Sequence, residues 1–352
     1  DRMTVINAKG ERFCVEAEKY GMFEKAYYND GLILEREYDN NGRLKKETDY
    51  LTNTDKSYVY DSLGNVIKYI SGGNEERITY NYRGEISEIK YIGEVERIDK
   101  FTYKDYAIDY ITAMETGMYK VNPLRDVTGR YTGKSVNIGN SEVDSESVEY
   151  RTSEKYLTHI PEKIIYKDTT LTYGYDVNGN ISEISKNEEL RSRYKYDSIG
   201  RLIREDNKVL NTSTTYKYDN NGNIVERKRG AYTLENEVPE GTKDTYIYYS
   251  DGRLQSYNGK YFGYERTYNP TIYLGEKKSW TRGRKLSLYN GTSFEYDGLG
   301  RRIKKNDIEY SYDGNGRLIK QSDGLEYYYD TTGLLGFSYK NISYVYRKDI
   351  QG

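Results

Sequence analysis

Eight copies of Tyr-Asp-x-x-Gly limit what this chain can fold into more than any other feature. They are carried by Tyr38, Asp39 and Gly42, by Tyr60, Asp61 and Gly64, by Tyr175, Asp176 and Gly179, and by Tyr196, Asp197 and Gly200. The other four are carried by Tyr218, Asp219 and Gly222, by Tyr296, Asp297 and Gly300, by Tyr312, Asp313 and Gly316, and by Tyr329, Asp330 and Gly333. Successive copies are 20 to 22 residues apart in the regular stretches and 16 or 17 apart from Tyr296 onward. Degenerate copies begin at Tyr28 (one residue shorter), at Tyr80 with Asn81 for Asp, and at Tyr248 with Tyr249 for Asp. A fixed period means that one small unit is repeated and stacked.

The unit reads as strand, turn, strand. A second aromatic lies two residues before most motif tyrosines, as in Tyr58/Tyr60, Tyr194/Tyr196 and Phe294/Tyr296. That spacing puts both rings on one face of a strand. The next four residues form a turn, with Asn-Gly at positions 41–42, 178–179, 221–222 and 315–316. Asp can accept hydrogen bonds from turn amides, and Gly supplies a positive φ. Two residues after the Gly stands an aliphatic, such as Leu44, Val66, Ile181, Leu202, Ile224, Leu318 or Leu335. Tyr and Leu/Ile are expected on a shared buried face, with Arg, Lys, Asn and Glu on the other. No hairpin of this size is stable alone, so neighbours must pair edge to edge. The fold class expected is all-β: tandem antiparallel hairpins forming a long curled sheet, a spiral β-shell or part of one.

Composition fits only once tyrosine is counted. Mean hydropathy is −0.96 and 31% of residues are charged, which by themselves would suggest disorder. Yet 44 of 352 residues are Tyr, a strand-favouring residue that buries a large ring and keeps a hydroxyl for a partner. The net charge of −2 argues against a nucleic-acid partner. No stretch approaches the length of a membrane helix, so no membrane insertion is expected. One cysteine, Cys14, excludes an internal disulfide. The chain starts at Asp1 without an initiator Met or signal-peptide pattern, and reads as a piece of a longer protein.

One repeat-bearing segment is expected over residues 1–352, regular at about 27–110 and 171–258, with a C-terminal set over 259–352. Between Tyr80 and Tyr175 the motif fades while tyrosines persist (Tyr103, Tyr106, Tyr110, Tyr119, Tyr131, Tyr150, Tyr156 and Tyr166), and the irregular segment at about 111–170 reads as further strands with irregular loops. A short helix near Ala113–Met118 is the one helical expectation.

The repeated Tyr-Asp-x-x-Gly-Arg/Asn-Leu/Ile unit resembles the YD-repeat or RHS family, which includes bacterial polymorphic toxins, the B/C component of Tc toxins and the teneurins. Asn269–Gly275, Gly283–Leu286 and Tyr329–Tyr339 through Gln351-Gly352 resemble the C-terminal part of an RHS core. The resemblance implies hairpins wound into a hollow shell that encloses a variable C-terminal toxin or effector domain, in a secreted or surface-exposed bacterial protein. Its partners would be the rest of its own polypeptide: that domain, and plug or cap regions. The family's Asp-Pro-type self-cleavage motif is absent, because the chain contains no Asp-Pro dipeptide.

Chemistry is sparse. His159 and Cys14 are single residues without a recognisable catalytic partner, and no pair of carboxylates stands out for glycoside chemistry. Asp39–Gly42 and Asp313–Gly316 have part of a calcium-loop pattern but lack the acidic residue at its twelfth position. No catalytic, cofactor or metal residue is nominated, and no enzyme activity is expected. The rival reading is a carbohydrate- or cell-wall-binding module that stacks exposed Tyr on cell-surface glycans.

Overall fold

A computed structural model describes residues 2–17, 22–105, 110–152, 157–237 and 240–350, so Tyr106, Tyr156, Gln351 and Gly352 lie outside the described residues. Every regular element among these is a β-strand. One sheet has 24 strands and the other 11. Successive strands pair antiparallel: Gly31–Tyr38 with Leu44–Asp49, that strand with Thr54–Tyr60, and that one with Val66–Ser71. The chain divides into two compact units, Asp1–Asn122 with Tyr264–Tyr346, and Pro123–Gly263 with Arg347–Gly352.

The repeat turn is a three-residue loop closed by its own aspartate. At Asp219 the backbone amide donates to the Asn223 carbonyl at 2.9 Å, and the Gly222 amide returns to the Asp219 carbonyl at 3.1 Å. Asp219 Oδ1 accepts from the amides of Asn221 and Asn223, both at 2.9 Å. Gly222 takes φ +84°, the left-handed conformation that closes such a loop. Where Arg follows the Gly, its guanidinium joins the clasp and then covers the next ring. Arg201 Nε donates to Asp197 Oδ2 at 2.7 Å, and its carbon sits 4.6 Å from the Tyr218 ring centre. The same turn closes at Asp126–Arg130, where Arg125 replaces the motif Tyr.

Each motif Tyr sits where the strand register slips by one residue, as between Lys217 and Tyr218. Its hydroxyl then reaches the preceding unit. Tyr60 donates to the Leu44 carbonyl, Tyr80 to Val66, Tyr196 to Ile181, Tyr218 to Leu202, Tyr248 to Ile224 and Tyr329 to Leu318, all at 2.6–2.9 Å. The acceptor in all six is the aliphatic residue two after the previous glycine, so each unit is pinned to the one before it.

Three expectations change. Residues Ile111–Thr116 are a strand, ended by a two-residue turn at Gly117 (φ +55°) that pairs Thr116 with Tyr119. The proposed helix fails because a residue that favours the left-handed region stops it, and tertiary pairing is available on both sides. Tyr28 does not open a repeat turn. Asn29 and Asp30 both take positive φ and join Tyr28 to Gly31 in a two-residue hairpin. The charged residues do not all leave the tyrosine face. Lys56 precedes Tyr58 by two, is buried, and bonds Glu47 at 2.6 Å, while Arg36 holds the other Glu47 oxygen at 2.8 Å. Buried charge is tolerable there because each partner is hydrogen-bonded.

Tyr218→Phe keeps the ring and leaves the Leu202 carbonyl without its donor. The expected loss is about 1 kcal/mol of unfolding free energy, read by urea denaturation. An unchanged midpoint would remove the phenol from the account of stability.

Candidate functional site

The tertiary contacts that go beyond the hairpin ladder gather where one strip of sheet docks on another. Within the first unit the C-terminal repeats dock on the N-terminal strands through polar contacts that, among the described residues, include five clasps in matching order. Glu11 Oε2 accepts the Gly283 amide at 3.2 Å, Asp49 Oδ2 the Gly298 amide at 2.6 Å, and Glu76 Oε1 the Gly314 amide at 2.8 Å. Arg97 Nη1 donates to the Tyr327 carbonyl at 3.0 Å, and the Tyr119 hydroxyl to the Tyr344 carbonyl at 3.1 Å. Lys9 and Glu265 add an ion pair at 2.7 Å beside the first clasp.

Two motif turns, Asp297–Gly300 and Asp313–Gly316, are thereby brought to the seam. Each has a second glycine directly after the aspartate, which no other strict copy has. A Cβ at Gly298 would stand 3.1 Å from both Asp49 Oδ2 and the Ile33 carbonyl, and one at Gly314 would stand 3.2 Å from Glu76 Oε2. These glycines serve close approach rather than an unusual φ. In sequence Asp313–Gly316 stands out as a repeat turn and as a partial calcium loop, not as a docking element. In the fold its Asp313 oxygens are taken by the amides of Asn315 and Arg317 and by Arg317 Nε. The repeated Asp-Gly-x-Gly was the signal for docking turns. Motif turns elsewhere, at Asp39, Asp61, Asp176, Asp197 and Asp219, close their own hairpins in the same way. At Asp330 the loop is shorter, with Asp330 paired to Gly333 and Leu334 opposite Tyr329.

Under the clasps, Ile319 packs with Ile89, Tyr91 and Val95. The Arg97 guanidinium lies 4.7 Å from the Tyr91 ring centre and 5.1 Å from that of Tyr328, and its Nε is 3.0 Å from Asp99 Oδ1. Three carboxylates, Glu76, Asp99 and Asp313, thus meet two guanidiniums, Arg97 and Arg317. Burial, opposed by the Gly314 amide and worsened by Asp313, pushes Glu76 up to about 7. Burial also raises Asp99, against the pull of Arg97.

Beside Asp49 is an open cavity of about 420 Å³ lined by Lys56, Tyr69, Arg301, Tyr310 and Tyr312 among others. Lys56 is already bonded to Glu47 and Arg301 to Asp297, at 2.6 and 2.8 Å. Cys14 is buried and accepts Arg2 Nε at 2.9 Å, and His159 meets Tyr150 edge-on.

No family model matches the chain, and no curated protein matches it in sequence. Its structure is similar to one from a Photorhabdus luminescens Tc holotoxin pore, with TM-score 0.62 and 10% identity over 93% of this chain. The fold is that of an RHS-repeat shell. The chain spans 23% of the length of that solved chain. Weaker overlays reach TcdB2-TccC3-Cdc42 (TM-score 0.49, 14% identity, 93% of this chain and 22% of that one) and TcdB2-TccC3 (0.43, 11%, 95% and 24%). The RHS-repeat likeness concerns the fold, and it agrees with the hairpin period, the bulged tyrosines and the glycine turns.

Gly314→Ala is expected to push the turn off Glu76 and lower stability by about 1–3 kcal/mol through the amide–carboxylate bond. The same change at Gly174, whose built Cβ has 3.4 Å of clearance, is expected to cost less. Equal thermal shifts for the two would argue against docking through Gly314.

The seam should also be proton-linked. A folded-state pKa above the ordinary carboxylate value means that ionisation of Glu76 opposes folding. Its contribution is fully present below about pH 4.5 and is lost as pH rises through about 7, a change on the order of 3 kcal/mol. Glu76→Gln keeps an acceptor for Gly314 without the charge. Its melting temperature should therefore fall less than the wild type's between pH 5 and 8; parallel curves would count against this assignment.

Proposed function

We propose that this chain is a wall segment of an RHS-type shell, which encloses or presents a toxin or effector part of its own polypeptide in a secreted or surface-exposed protein. The observation that carries the reading is the seam, where Asp-Gly-x-Gly turns of one strip are clasped by buried carboxylates of another. A protein that needed only an open binding face would gain nothing from closing strip on strip. The mechanism is steric: a sheet whose backbone is hydrogen-bonded strand to strand separates what lies behind it from solvent and proteases. The motif tyrosines are structural pins in this reading, and no catalytic step is assigned to the chain.

The rival, sugar recognition, needs phenol rings free to stack. Rings such as Tyr82 and Tyr261 are exposed, but the repeated motif tyrosines are half-buried and spend their hydroxyls on backbone carbonyls.

The test is limited proteolysis of the polypeptide that carries this segment. Trypsin is expected to spare the enclosed part in native buffer and to cut it once urea opens the wall. Cleavage at the same rate before and after opening would refute enclosure. Saturable binding on a glycan array, abolished by changing exposed Tyr to Ala, would move the assignment to the rival.

A further inference from the structure

In the second unit, residues after Tyr346 lie against the strands Ser141–Thr152, Leu157–Tyr166 and Thr170–Tyr175 without joining their ladder. Side chains do the holding. Arg347 grips Asp144 with a two-pronged fork, Nε to Oδ2 and Nη2 to Oδ1, both at 2.9 Å. Its remaining nitrogen bonds Asp168, and its guanidinium carbon lies 5.3 Å from the Tyr166 ring centre. The Lys348 amide donates to the Tyr166 hydroxyl at 2.9 Å, and that hydroxyl donates back to the Lys348 carbonyl. Ile350 packs against the cluster of Ile164, Tyr166 and Tyr173.

We propose that this surface is a peptide-binding socket for an extended segment with Arg at its first position and an aliphatic residue at its fourth, and that residues 347–350 are its resident ligand. The inference stands independently of the shell reading. Asp144 is more than nine-tenths buried, and among the described residues its hydrogen-bond and ion-pair partner is Arg347. A carboxylate buried in that way is costly unless a cation meets it, so the socket is built for one. The planar fork selects Arg over Lys, because a point charge cannot satisfy both oxygens in parallel. The second position is held through its backbone by Tyr166, which leaves its side chain unselected. The fourth is read by an apolar floor. Arg347 also holds the Asp168 carboxyl below its ordinary range, consistent with a charged second wall.

A ligand on the same chain has a high effective concentration, so the wild-type socket should be closed to peptide in solution. The test uses the full chain carrying Arg347→Ala and Ile350→Ala, which releases residues 347–350 and leaves the socket unchanged. Fluorescence anisotropy with a labelled peptide, Tyr-Arg-Lys-Asp-Ile, should give saturable binding to this variant and none to wild type. Replacing the peptide's Arg with Lys should weaken binding at least about tenfold, and Asp144→Asn in the variant should abolish it. No binding by a variant with wild-type circular dichroism and cooperative unfolding, or equal binding of the Lys peptide, would overturn the proposal. Hydrogen exchange needs no change in residues 347–350: the Lys348 amide should be slow in wild type and fast in Asp144→Asn. Equal rates would also overturn it.

Discussion

The bond from each repeat tyrosine's hydroxyl to a carbonyl one unit back is the constraint on which the rest depends. A ladder of antiparallel strands fixes spacing but tolerates slippage, and a one-residue slip exchanges the two faces. The bulge at each motif Tyr already displaces the register by one, so the chain needs something to make that displacement unique. A phenol does so by length and by chemistry: its ring lies along the sheet, and its hydroxyl ends where the preceding unit's carbonyl is found. Phe could fill the space but would leave that carbonyl without a donor. This explains how a chain of low mean hydropathy can be so ordered. Its core-forming residue is also its register pin.

The turns follow from the same economy. Asp closes the loop through its own amides, Gly supplies the left-handed step, and the following Arg binds the Asp and covers the next tyrosine, as with Arg201 over Tyr218. Turn, clasp and ring cover form one chain of contacts between units. The 16- and 17-residue spacings near the C-terminus go with strands of four or five residues, such as Arg302–Lys305 and Ile308–Tyr312, against six to eight in the N-terminal repeats. At Asp297 and Asp313 the turn chemistry is unchanged, so between those copies the shortening falls on the strands.

Fold class, repeat unit and turn were legible because each depends on residues adjacent in sequence. Tyr-x-Tyr spacing reports a strand face, and Asp-x-x-Gly reports a loop closed on itself. What was not legible depends on partners far apart. Nothing near Glu76 says that it will meet Gly314, or near Asp49 that it will meet Gly298. The charged residues on the tyrosine face were assigned outward because alternation alone treats charge as exposed, whereas Glu47 is satisfied there by Lys56 and Arg36 from neighbouring strands. Tyr28 misled because its Asn-Asp-Gly imitates the motif while serving a two-residue hairpin. Arg125 hid a genuine turn because the tyrosine itself was missing.

Strand pairing and strip docking solve different problems, and the residues used reflect this. Edge pairing uses backbone only, so any hairpin of the series could in principle sit beside any other. Docking must select. An apolar seam would be as permissive as the ladder, since oily surfaces slide over one another at little cost. A buried carboxylate aimed at one turn amide is not permissive, because any other position leaves it desolvated and unmet. Placing the clasps in matching order, from Glu11 with Gly283 to Tyr119 with Tyr344, means that a shift by one repeat breaks all of them together. The unbalanced charge at Glu76 is the cost of that selectivity. It also makes the same seam responsive to pH.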